Sequence, residues 1–159
     1  MIRILLALAI AATAYLGPWV WDRSGALFEG GFSQEAAVSG AVFIADTVEC
    51  ARQGTFSVAG ACAPEQEIFG KLIVGTIALA LLSAVISLLG LLPLVGRLTS
   101  IITIFSGLVA LITFAFFGKE LIVAETASLA YFGWGAYATA VFGFLTILAG
   151  IAGLGGDGD

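Results

Sequence analysis

The chain contains no histidine, a single methionine at position 1, two cysteines, three prolines, and charged side chains at only 11% of its 159 positions. Each scarcity removes a class of function. Without imidazole, a Ser-His-Asp or Cys-His centre cannot be assembled. The usual His or Met axial ligands for haem and the commonest nitrogen ligand for a metal are missing as well, so no cofactor, haem or metal is expected. The six basic residues are outnumbered by eleven acidic ones and nowhere cluster, which does not describe a nucleic-acid surface. Apolar residues make up 60% of the chain, far above a globular average, and this composition belongs to a membrane protein.

The sparse charges mark out the membrane. Asp, Glu, Lys and Arg are absent from four windows, Ile4 to Trp21, Leu72 to Gly96, Leu98 to Gly118 and Thr126 to Gly156. Each is long enough to cross about 30 Å of hydrocarbon at about 1.5 Å per helical residue. Trimmed for Pro93 and for the glycine-rich end GIAGLGGDGD, they predict helices over residues 4–21, 70–92, 99–117 and 128–152 within a single integral membrane domain. The first resembles a signal sequence, Arg3 preceding ILLALAIAATA, and is read as a retained anchor rather than a cleaved leader. A transporter of protons or ions would keep an ionisable group at mid-membrane depth, and none of the four windows supplies one.

Small residues recur at helical spacing inside every window. Ala7 and Ala11, Ala80, Ser83 and Ser87, Thr103, Ser106 and Ala110, and Gly135, Thr139, Gly143 and Gly150 each fall on one face of their helix. Such stripes let backbones approach closely and let hydroxyls bond across helices. The expected fold is an all-α membrane protein, a left-handed up-down bundle of four transmembrane helices.

The polar segment between the first two windows, residues 22–67, carries seven acidic residues against Arg23 and Arg52, so it holds the whole net charge of -5. Its stretches AAVSGAVFIADT and GTFSVAG, rich in Val, Phe, Ile and Thr and broken by Gly, are predicted as short strands. Cys50 and Cys62 bracket the second stretch, with RQG at residues 52–54 as a turn. Pairing them would staple a small β-rich cap for about 3 kcal/mol of chain entropy; two free thiols are the alternative. Their C-x11-C spacing suits a structural bridge better than a C-x-x-C exchange centre. The second loop, residues 118–127, contains KELIVAE, which is read as an edge strand or a helical extension.

A disulfide needs an oxidising compartment, which places the cap outside and both termini in the cytoplasm of a multi-pass protein of the plasma or cytoplasmic membrane. The positive-inside count points the other way, since Arg23, Lys71 and Lys119 flank helix ends on the cap side against Arg3 and Arg97 opposite. All the Trp and Tyr residues fall near the cap-side ends of the windows. They form either a one-sided anchoring belt or a docking rim, for which Trp19, Trp21, Phe28, Phe32, Tyr131 and Trp134 are the candidate partner-binding residues.

The layout resembles the claudin and peripheral-myelin-protein-like tetraspan group. The first window ends in tryptophans (Trp19, Trp21), a first loop of predicted strands carries a two-cysteine pair (Cys50, Cys62), a tight turn lies at Arg97, a short second loop follows, and four windows fill the chain. GALF at residues 25–28 stands where that group has Gly-Leu-Trp followed closely by cysteine, so the match is one of layout. The resemblance implies a bundle under a small β-sheet and lateral association rather than turnover. The function expected is that of a non-enzymatic structural or assembly protein, contacting lipid and either copies of itself or other membrane proteins as an accessory subunit. A small pore or solute transporter and a membrane thiol-disulfide oxidoreductase are the alternatives.

Overall fold

A computed structural model describes residues 1–22, 36–53, 64–89, 96–119, 122 and 131–155. The chain is mostly helical: α1 (Ile2–Leu16), β1 (Pro18–Asp22), β2 (Ala36–Ser39), α2 (Gly40–Gln53), α3 (Pro64–Leu89), α4 (Gly96–Lys119) and α5 (Trp134–Leu154). Three helices are long and apolar enough to cross a membrane, through residues Gly70–Leu88, Arg97–Lys119 and Trp134–Leu154, and they mark the chain as a membrane protein. The apolar helix α1 is shorter.

The first window does not stay helical to Trp21 as its composition predicts. Pro18 disfavours helical geometry at the residue before it, and Gly17 is extended at φ -72° and ψ 141°. The chain therefore leaves α1 at Leu16 and enters β1, where proline takes the first position because it has no ladder hydrogen to give. β1 pairs antiparallel with β2, matching Val20 with Val38 and Trp21 with Ala37, and an irregularity lies between Pro18 and Val20. Phe132 adds a bridge opposite Val20, and the Gly133 N–H donates to Trp19 O at 2.7 Å.

The strand expected over AAVSGAVFIADT ends at Ser39, and Gly40–Gln53 is helix. RQG is no turn at its start either, since Arg52 and Gln53 close α2. Alternation is what a strand needs, yet Gly40, Phe43, Ile44, Thr47 and Cys50 recur in threes and fours and lie on the less exposed side of the helix. The β-branched residues cost the helix a few tenths of a kcal/mol each; packing along α3 offsets that. Gly70 makes the crossing possible, because any side chain there would collide with the Thr47 hydroxyl and the Phe43 carbonyl. GTFSVAG and most of KELIVAE lie outside the described residues.

α3 starts six residues before its expected boundary, with Pro64 at the first helical position, where a missing N–H costs nothing. At 26 residues it runs about 39 Å, more than a bilayer needs, and α2 packs against it. α5 begins later than expected, at Trp134, because Phe132 and Gly133 are committed to β1. The most extensive helix packing joins α4 to α5, followed by α1 to α3, α1 to α5 and α3 to α4.

Candidate functional site: closed interior, aromatic end and outer surface

The interior is built from the small residues. Ala7, Ala11, Ala80, Ser83, Thr103, Ser106, Ala110, Gly135, Thr139, Gly143 and Gly150 are all buried, and Ser87 is partly so. Between α4 and α5 the backbones nearly touch: a Cβ on Gly143 would lie 3.0 Å from Gly107 O, and one on Gly150 3.0 Å from Ser100 O. Between other helices hydroxyls meet. Thr76 and Thr113 share a bond of 2.8 Å across α3 and α4, Thr13 and Thr139 one of 3.1 Å across α1 and α5, and Ser83 donates to Thr103 at 3.4 Å. Most of these threonines also donate to a carbonyl one turn back, as Thr103 does to Thr99 O at 2.7 Å, which satisfies them without outside help. The exceptions are the buried oxygens of Ser87 and Ser106, which have no hydrogen-bond partner.

At the end where β1 and β2 lie, five rings interlock. Trp19 meets Phe117 edge-on at 5.4 Å, Phe117 meets Phe132 at 5.2 Å, and Phe132 meets Phe114 at 5.7 Å and Tyr137 at 5.6 Å. These separations, and the T-shaped angles of every pair but Phe132 and Tyr137, which are tilted, suit the ring quadrupoles. The Trp19 indole N–H donates to Ala14 O at 3.0 Å, closing a carbonyl left over at the end of α1. Gly40 leaves the space for that contact, since a Cβ there would strike the same carbonyl.

The docking rim drawn from the sequence is therefore divided. Trp19 is 0% exposed and is a core residue of this end rather than a contact surface. Trp21 and Tyr131 are half-buried, and Trp134 is 51% exposed. Phe28 and Phe32 lie outside the described residues. The irregularity in β1 explains why neighbours Trp19 and Val20 are both buried, since such a break lets two successive residues turn inward. Phe114, Phe117, Phe132 and Tyr137 complete the cluster. Their signal is the run of rings at the end of α4 facing those at the start of α5, which pairs them only once the helices are known to be antiparallel.

Cys50 is 4% exposed on the α3 side of α2, and no free cysteine occurs among the described residues; Cys62 lies outside them. Among the described residues no group of three or more His, Cys, Asp and Glu side chains comes together for a metal.

Outward, each long helix presents large apolar side chains, among them Leu81 and Val85 on α3, Phe105 and Ile112 on α4, and Phe144 and Ile151 on α5. α2 exposes Val42 and Val48 beside an ion pair between Arg52 and Glu49 at 3.7 Å. No family model, curated protein or solved structure matches the chain, so the claudin-like layout rests on its residues alone.

Proposed function

We propose that the protein is a non-enzymatic assembly protein of the membrane. In this reading α1, α3, α4 and α5 cross the bilayer as one up-down bundle, with β1, β2, α2 and a Cys50–Cys62 bridge as an extracytoplasmic cap. The outer faces hold a second copy or a larger membrane complex. The observation that carries the reading is where the polar groups are spent. Most of the hydroxyls that could line a solute path, Ser87 and Ser106 excepted, bond to one another or to their own backbone, as at Thr76 and Thr113, and glycines close the remaining seam between α4 and α5. What is left for contact is an apolar exterior and the half-polar outer side of α2. A chain so arranged can hold neighbours without turning anything over.

Extraction in mild detergent followed by native mass determination tests this. A mass above one chain plus bound detergent is expected, and a monodisperse monomer with nothing co-migrating refutes it. The cap has its own check, because Cys50→Ser should lower stability by about 3 kcal/mol while leaving the assembled mass intact.

A second reading rests on the buried, unpartnered hydroxyls of Ser87 and Ser106, which would suit a narrow path for a small neutral solute. Flux into liposomes that Ser106→Leu abolishes would favour it.

A further inference from the structure

Hydroxyl bonds set α3 against α4 in one register. Thr76 meets Thr113 at 2.8 Å and Ser83 donates to Thr103 at 3.4 Å, so the two helices run antiparallel. Toward the end where β1 and β2 lie, Lys71 stands five residues beyond Thr76 and Lys119 six beyond Thr113, about 8 and 9 Å along their helices. The two lysines therefore share a level. At about 100° per residue, Lys71 is turned about 140° from the Thr76 contact and Lys119 about 120° from the Thr113 contact, and between antiparallel helices both turns lead to the same side of the pair. That side is the outer one. α1 packs on the opposite side, where Ile73 clusters with Ala14 and Ala80 with Ile10 and Ala11, and α5 packs there too, with Gly143 against Gly107. Both lysines are exposed.

The surface beneath them is apolar and notched. No charged residue separates Lys71 from Arg97, or Arg97 from Lys119, in the sequence. Gly75, one turn below Lys71 on the same side of α3, has nothing within 4 Å of where a Cβ would stand, whereas Gly107, Gly143 and Gly150 each meet a neighbouring helix there. Half-buried Leu79 continues the outer side of α3, and half-buried Val109 and Phe116 lie on the outer side of α4. A lysine stem runs along apolar surface while its ammonium seeks headgroups. Two of them at one level, above an uncharged notch, give a cationic mouth over a hydrocarbon bed. Glu67 and Glu120 adjoin these lysines in the sequence, so the mouth carries no diffuse basic field, and attraction is confined to an anion seated between the two ammonium groups.

We infer that the outer groove between α3 and α4 binds one anionic phospholipid, its phosphodiester held between Lys71 and Lys119 and an acyl chain lying in the notch at Gly75. The site requires only that α3 and α4 cross the bilayer, so it exists whether or not copies of the chain associate.

The test is native mass spectrometry of the full chain in mild detergent, titrated with palmitoyl-oleoyl phosphatidylglycerol or with phosphatidylcholine of the same chains. Phosphatidylglycerol should bind at least about five-fold tighter, the worth of one lysine near a headgroup. Lys71→Gln combined with Lys119→Gln should abolish that preference, whereas Arg97→Gln, which removes the same charge from the opposite end of α4, should leave it. Gly75→Leu should weaken the binding of both lipids. Glycerophosphate, which carries the headgroup charge without the chains, should not compete. Equal binding of the two lipids overturns the inference, as does a preference that survives the loss of both lysines or is lost equally with Arg97. Binding indifferent to Gly75→Leu overturns it too, and full competition by glycerophosphate would replace the lipid site with a phosphate site. If a variant fails to fold, the native chain decides: phosphatidylglycerol with a diazirine in its acyl chain should label Leu79, Val109 or Phe116, and labelling confined to α1 or α5 refutes the site.

Discussion

Where α4 crosses α5 at Gly107 and Gly143, the helices are joined by the absence of side chains; a few turns toward the cap, Trp19, Phe117 and Phe132 join them by the largest side chains available. In lipid the difference follows from what each region can gain. Apolar side chains inside the bilayer gain little by leaving acyl tails for one another, so contact there depends on close backbone approach and on hydroxyl bonds. On the proposed topology the end where β1 and β2 lie stands outside the bilayer, where burial of aromatic area regains its usual worth; there the indole N–H finds the Ala14 carbonyl.

Changes of size should therefore act in opposite directions in the two regions. The largest effect is expected from Trp19→Ala, which removes a wholly buried ring and exposes the end of α1. About 4 kcal/mol should be lost, read from unfolding in mixed micelles by a graded denaturing detergent. Trp19→Phe keeps most of the area but orphans the carbonyl, at a cost of about 1 to 2 kcal/mol. Gly143→Val comes next, because here the addition of a side chain is the damage. Overpacking against Ala110 and the Gly107 carbonyl should cost about 2 to 3 kcal/mol in the same assay. If Gly143→Val were tolerated while Trp19→Ala was severe, the interior would be looser than its contacts describe. A smaller change is expected at the hydroxyl pair. Thr76→Val and Thr113→Val should each cost about 1 kcal/mol and be far from additive, with the double variant little worse than either single one.

The same contrast accounts for what could be read from the sequence. The interior was legible because its rule is local: small residues every three or four positions must share a helix face, and Ala80, Ser83, Thr103, Ala110 and Gly143 all lie in the interior. The cap end obeys no such local rule. Trp19 and Trp21 look equivalent in PWVWD, yet one is wholly buried and the other half-buried, and that choice was made by Pro18, by the break in β1 and by the distant Ala14 carbonyl. Likewise AAVSGAVFIADT is rich in Val, Phe, Ile and Thr, yet most of it is helix, and the glycine at position 70, opposite Thr47, leaves that helix the room to lie against α3. Propensity lost to tertiary packing at that point.

The smallest expected effect is the most informative about function. Gly75 sits on α3 with nothing within 4 Å of where a Cβ would stand, in contrast to Gly143 on α5. Within a single chain surrounded by lipid, Gly75→Leu should change stability by no more than about 0.5 kcal/mol, as substitutions away from packed features do. In an assembly whose copies meet along α3, the same change would fill a groove that a neighbouring helix needs, because close approach of backbones is what holds helices together in lipid. A null effect on unfolding combined with a drop in native mass would thus place the contact on α3. A null effect on both would move it to α4, α5 or the cap, where Phe105, Phe144 and Val48 are the exposed side chains to enlarge or truncate next.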